Sequence, residues 1–178
     1  MNDAVHQLPP ITALDVPANA RRSTYPEPFA SRMEGRTKRV LGTVFPLTEF
    51  GVNLTMLEPG AVSALHHFHV RSDEFVYVLE GELTLCSSSG EWLLTPGMCV
   101  GFLAQGASHH LENRSTHPAT MLEIGSRHTD DAVNYPQDDQ VACKEKAGWA
   151  FTTKDGVVLE PSRANGADFL HRQRSARP

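Results

Sequence analysis

Five of the nine histidines fall in two tight groups, His66, His67, His69 and His109, His110. In the segment Leu65-His66-His67-Phe68-His69-Val70-Arg71-Ser72-Asp73-Glu74, an extended chain points residues two apart to the same side. His67 and His69 therefore present both imidazoles to one point, while His66 and Phe68 face away. A short turn follows, and Glu74 then opens the adjacent antiparallel strand beside the histidine pair. His109 follows a glycine-rich turn and supplies a fourth ligand from another strand, with His110 facing outward. Three neutral imidazoles and one carboxylate make a mixed nitrogen and oxygen site that suits a first-row divalent metal. With octahedral geometry, positions remain open for water, oxygen or substrate, which is the openness of a catalytic centre rather than a structural one.

Proton transfer next to such a metal needs a general base, and the candidates are Tyr77, Glu80, Glu123 and His110. Arg127 shares strand parity with Glu123, so it either pairs with a substrate carboxylate or phosphate or closes a salt bridge to Glu123 or a neighbour. His6, His117, His128 and His171 stand alone, and His66 and His110 read as spectators. Ser108 beside His109 does not belong to a hydrolase motif of the G-x-S-x-G type, because His110 occupies the place of the second glycine.

Short apolar runs must hold these side chains in place. From Val40 onward, runs rich in Val, Leu, Phe and Thr are punctuated by Gly, Pro and Asn every eight to twelve residues, the spacing of an all-β sandwich or barrel. The pattern predicts strands near 40–46, 51–58, 62–69, 74–80, 82–87, 91–95, 98–103, 108–113 and 118–127. Turns fall at Glu58-Pro59-Gly60, Glu80-Gly81-Glu82 and Ser87-Ser88-Ser89-Gly90. The acidic stretch 128–148 reads as irregular, and 149–158 as a last hairpin turning at Asp155-Gly156. Residues 1–39, with five prolines, read as an extended N-terminal arm, 40–160 as the barrel, and 161–178 as a basic tail. In Glu74-Phe75-Val76-Tyr77-Val78-Leu79 neither face is polar, so the outer face calls for cover by the arm or by a second copy of the chain, and a homodimer is expected.

Composition limits the function classes. With 40 % apolar and 21 % charged residues, the chain is an ordinary globular one. The formal charge of −5 hides a segregation, because residues 40–162 carry 6 basic against 16 acidic groups while both ends are basic. A central domain this acidic repels nucleic acid, so the expected partner is a small molecule. The uncharged stretch from Trp92 to Leu111 contains proline, glycines and histidines, and it reads as strands and turns rather than a membrane span. Ala18-Asn19-Ala20 mimics a cleavage site, but Asp3 stands where a basic region belongs. Cys86, Cys99 and Cys143 form no C-x-x-C pair and suit reduced thiols in a cytoplasm.

The segment PGAVSALHHFHVRSDEFVYVLEG resembles the first motif of the cupin superfamily, G-x5-H-x-H-x(3,4)-E-x6-G, through Gly60, His67, His69, Glu74 and Gly81. One extra residue follows the first glycine. Gly97, Ala104, Gly106, His109 and Asn113 resemble the second motif, G-x5-P-x-G-x2-H-x3-N, again with one extra residue and with alanine in place of the usual proline. The resemblance implies a single double-stranded β-helix or jelly-roll barrel, with metal ligands at His67, His69, Glu74 and His109. It implies iron or manganese, or else nickel, zinc, cobalt or copper. The flanks YPEPF, LTEFGVN and LEIGSR look like a branch of small single-domain cupins, some of them described as sugar-phosphate isomerases. A metal in this setting serves dioxygenases, and also isomerases and lyases that use it as a Lewis acid. The sequence places a dioxygenase slightly ahead, followed by an isomerase or lyase and then by a non-catalytic metabolite-binding barrel. With few basic residues in the barrel and no glycine-rich phosphate loop, a multiply phosphorylated ligand is disfavoured. Tyr77, Glu123 and Arg127 are the expected catalytic groups.

Overall fold

Short extended runs separated by turns form thirteen strands in a computed structural model that describes residues 8–19 and 23–160. They are β1 (Arg36–Val40), β2 (Phe50–Leu57), β3 (Phe68–His69), β4 (Glu74–Glu80), β5 (Leu83–Ser87), β6 (Gly90–Leu94) and β7 (Cys99–Phe102). The series continues with β8 (His109–Glu112), β9 (Ala119–Ser126), β10 (Ala132–Tyr135), β11 (Gln140–Glu145), β12 (Gly148–Thr152) and β13 (Val158–Leu159). They pair antiparallel into three sheets, ordered β1-β2-β9-β4-β7, β6-β5-β8 and β13-β12-β11-β10-β3. Among the described residues no helix is long and apolar enough to cross a membrane.

Two apolar clusters hold the sheets. Leu57, Val76, Val78 and Met121 from the first sheet pack against Leu83, Leu85, Leu94 and Leu111 from the second. Tyr25 and Met33, from the segment before β1, pack with Leu65, Val133, Tyr135, Ala142 and Phe151 beneath the third sheet. The part of the proline-rich arm nearest the barrel is therefore built into a core, since burying an aromatic or a methionine offsets the entropy of ordering its chain. At the corner between β4 and β5, Gly81 has φ +73° and an added Cβ would stand 2.6 Å from the Pro118 carbonyl oxygen, so only glycine fits.

Three sequence expectations need correction. The strand expected over 40–46 lies earlier, at β1, and Leu41–Val44 is a single helical turn, α1. The β1 sequence, RTKRV, has no apolar alternation to reveal it and is fixed by its register with Asn53–Leu57 of β2. The strand expected over 62–69 is reduced to bridges at Val62 and His67 plus β3. Val62 faces Glu112 and His67 faces His109, so this segment uses more residues than its partner between the two bridges, and the bulge breaks the ladder. Finally, the stretch 128–148 contains β10 and β11, whose inward Val133, Tyr135, Gln140 and Ala142 are hidden in sequence by the acidic residues between them. The hairpin over 149–158 forms as β12 and β13. The tail 161–178 lies outside the described residues.

Candidate metal centre

The bulge sets the site. Directly opposed residues of an antiparallel pair share a face, so the His67–His109 bridge lays the two rings side by side with centroids 4.9 Å apart. The His69 ring follows at 5.3 Å from that of His67. Glu74, the first residue of β4, closes the group from the neighbouring sheet. Its Oε2 is 3.5 Å from His67 Nε2 and 3.2 Å from His109 Nε2, and its Oε1 is 3.6 Å from His69 Nε2. Phe102 lies flat on His109 with centroids 3.4 Å apart, which fixes that ring against the barrel wall.

Each ring is also held from behind. His67 Nδ1 is 2.8 Å from the Leu65 carbonyl, His109 Nδ1 is 3.2 Å from the Ala107 carbonyl, and His69 Nδ1 is 2.6 Å from Asp131 Oδ2. Carbonyl and carboxylate oxygens only accept, so Nδ1 carries the hydrogen and a neutral ring turns a bare Nε2 lone pair inward. Three such lone pairs then face a carboxylate whose Oε2 is buried without a well-formed hydrogen bond among the described residues. Facing acceptors of this kind are stable only with a cation or protons between them, and the donor set of three nitrogens and one carboxylate fits a divalent transition metal.

Protons and metal compete for this position. Burial opposes charge on Glu74, but the facing imidazoles of His109 and His67 outweigh it and hold the carboxyl well below its usual range. Burial likewise pushes the His67 imidazole down, and the adjoining Glu74 carboxylate overcomes this and raises it. In the metal-free chain the His67 contribution is therefore present below the ordinary histidine value and lost as pH rises through the raised one. The Glu74 contribution is present above the ordinary carboxylate value and lost as pH falls through the depressed one. Metal requires the bare Nε2, so binding at about pH 6 should release a proton, and affinity should rise up to about tenfold per pH unit. Calorimetric titration in buffers of different protonation enthalpy measures that release; an affinity flat from pH 5.5 to 7.5 would contradict it.

Asp131 is a site residue that sequence reasoning missed. It is buried, accepts from the backbone N–H groups of Arg71 and Ala132 at 2.9 Å each, and orients the His69 ring. Burial opposes its ionisation, but the bonds from His69, Ser72 and Arg71 outweigh it and lower its pKa. Carboxylates behind a ligating histidine contribute roughly 10- to 100-fold in metal affinity. Asp131→Asn should weaken metal binding by that factor in a competition titration with a chromogenic chelator, while an unchanged affinity would reduce Asp131 to a loop anchor.

The cluster opens into a cavity of about 870 Å³, which also receives Lys38, Asn53, Glu123 and Arg127. Glu123 is opposite Val76 on β4, one pleat from Glu74 and on the same face. Its Oε2 accepts from Thr55 Oγ1 at 2.7 Å and lies 2.6 Å from Lys38 Nζ. Arg127 makes no pair with Glu123. Its Nη1 donates to the Leu47 carbonyl at 2.5 Å, and the guanidinium passes over Gly42 and Gly51, where added Cβ atoms would stand 3.3 and 3.5 Å from it. Tyr77 is displaced from the expected role: β4 alternates inward Val76 and Val78 with outward Phe75, Tyr77 and Leu79, so Tyr77 is exposed on the outer face and does not line the cavity. Glu80 is exposed at the end of the same strand, and His110 is on the far side of β8.

A cupin-domain family model matches residues 53–125, the stretch that carries His67, His69, Glu74 and His109. A structure from Silicibacter pomeroyi DSS-3, described as a sugar phosphate isomerase from a cupin superfamily, is 38 % identical, with a TM-score of 0.80 over 88 % of this chain and 99 % of that one. The chain belongs to the cupin superfamily. A second structure, from Acidithiobacillus ferrooxidans ATCC 23270 and provisionally named a sugar phosphate isomerase, is 30 % identical, with a TM-score of 0.64 over 71 % of this cupin and 89 % of its own chain. The polyketide cyclase RemF from Streptomyces resistomycificus shares the fold at 20 % identity and a TM-score of 0.55. No curated protein matches the sequence.

Proposed function

We propose that this cupin is a metal-dependent isomerase of a small, singly anionic sugar or sugar-like metabolite, with iron or manganese bound by His67, His69, Glu74 and His109. The observation that carries this reading is Glu123, one pleat from Glu74 in the same cavity and paired with Lys38. The ion, when bound, supplies Lewis-acid polarisation of a carbonyl. Both contacts of Glu123 fall on Oε2, which leaves Oε1 to take a proton from the carbon beside that carbonyl and return it to the neighbouring carbon. Arg127, at the cavity wall, offers its remaining N–H groups to the substrate anion. The two relatives named for sugar phosphate isomerisation support the same substrate class.

Dioxygenase chemistry, slightly favoured by sequence, rests on the donor set alone and leaves the Lys38–Glu123 pair without a task. Metal-reconstituted protein offered aldose and ketose phosphates in D2O should place deuterium on the carbon that exchanges, with no oxygen consumed. Turnover that consumes oxygen and leaves that carbon unlabelled would refute the isomerase, and binding without turnover would favour a metabolite-binding barrel.

The same reading includes a homodimer in the cytoplasm. The three cysteines are free, as a reducing compartment requires. The outer face of β4 exposes Phe75, Tyr77 and Leu79 at 39 %, 37 % and 38 %, a contiguous apolar surface that a second copy would cover. Light scattering should give the mass of two chains, and a monomer at micromolar concentration would defeat this part.

A further inference from the structure

On the side of the barrel away from the central cavity, strand register assembles a second set of ligand types. Cys86 on β5 is directly opposite Glu91 on β6 and His110 on β8, so three side chains form a row across three strands on one face. Glu112, two residues after His110, shares that face. The Cys86 sulfur, a ring nitrogen of His110 and a carboxylate oxygen of Glu112 lie within 4.8 Å of one another. A tetrahedral zinc-sized ion holds its sulfur and nitrogen ligands about 3.6 Å apart, so side-chain rotations of roughly an ångström close the difference. The row lines a separate cavity of about 480 Å³.

A cation already rests there. Arg114 Nη2 is 3.2 Å from Cys86 Sγ and 2.9 Å from Glu91 Oε1, and its Nε is 2.6 Å from Glu112 Oε2. The Arg114 side chain is 49 % exposed, so it can withdraw into solvent. We propose that Cys86, His110 and Glu112, with Glu91 as the fourth ligand, form a second, thiolate-containing site for a divalent cation of the zinc type, from which Arg114 is displaced.

Charge and protons balance. One thiolate and two carboxylates carry −3, the ion +2, and the displaced but neighbouring Arg114 +1. Burial, with help from Glu112, pushes the Cys86 thiol up to about 11, so the ion must displace the thiol proton to water as the metal–sulfur bond forms. His110 Nε2 now faces Glu112 Oε1 at 2.9 Å. To give that nitrogen to an ion, the ring moves its hydrogen to Nδ1, which lies 3.0 Å from His66 Nδ1, and His66 Nε2 then donates to Ser108 Oγ at 2.8 Å. The buried Ser108–His66 pair thus serves as the outer support that ligating histidines need. Four protein ligands make a closed, structural site that ties β5, β6 and β8 together.

Cobalt(II) separates this site from the central one, because only a thiolate ligand gives a sulfur-to-cobalt charge-transfer band in the near ultraviolet. The full chain should show that band, the His67→Ala/His69→Ala variant should keep it, and Cys86→Ser should lose it. Should Cys86→Ser fail to fold, His110→Ala carries the same expectation. Arg114→Ala should tighten cobalt binding at this site several-fold by removing the resident cation. Absence of the band in the full chain, its survival in a folded Cys86→Ser protein, or unchanged or weaker binding in Arg114→Ala would each overturn the proposal.

Discussion

Replacing His67 and His69 together by alanine should reduce the central metal from about one ion per chain to less than a tenth of that, with activity falling at least ~1000-fold. The imidazoles would supply two of the four proposed donors, leaving only His109 and Glu74, whose Nε2 and Oε2 are 3.2 Å apart. Lewis-acid stabilisation is worth several kcal/mol and each 1.36 kcal/mol is about tenfold, which sets the size of the loss. The double variant also leaves the half-buried Glu74 carboxylate without two of its three facing imidazoles. Its metal-free form should therefore be less stable than metal-free parent at pH 6, where the raised His67 pKa contributes, and the difference should shrink towards pH 8 as rising pH removes that contribution. Elemental analysis and urea unfolding at both pH values test the two statements. Full metal content in the double variant would mean that these histidines are not ligands.

What the sequence discloses about this site is what local geometry determines. The H-x-H spacing, the turn and Glu74 all lie within one hairpin, and strand alternation is enough to bring them together. The strand over 74–80 is equally legible, since Glu74–Glu80 is an unbroken β-forming run between a polar turn and Gly81. Asp131 and Lys38 are hidden for the opposite reason. Asp131 reaches His69 only because β10 pairs with β3 across more than sixty residues of chain, and its neighbourhood reads as a solvated acidic loop. Lys38 is on a strand whose sequence has no strand signal and which exists through its ladder to β2. A run of alternating Val133 and Tyr135 beside Asp131 is the one local signal available. Tyr77 is a third case: it has the opposite parity to Glu74 on β4, so alternation already turns it away from the histidines, a signal that apolar residues at both parities obscure.

Glu123→Gln should lower kcat by about 100- to 10,000-fold, the usual contribution of a positioned proton-transfer group, with little change in KM. Glutamine preserves the volume and can keep the bond from Thr55 Oγ1, so the cavity keeps its shape while Oε1 loses its ability to take a proton. The central metal should stay near one ion per chain, because Glu123 touches none of the proposed ligands; it acts on His67 only through its charge. Deuterium exchange at the substrate carbon distinguishes a proton carrier from a residue that merely anchors Lys38. A carrier takes that exchange with it when replaced, whereas loss of the Lys38 pair alone lowers stability, by roughly 1–3 kcal/mol for a half-buried charged contact. Lys38→Met is the companion variant: it removes the same pair and keeps the carboxylate, so it should retain the exchange. A Glu123→Gln enzyme with parental kcat and undiminished exchange would remove proton transfer at this residue, and with it the strongest reason for preferring isomerisation to oxygen chemistry.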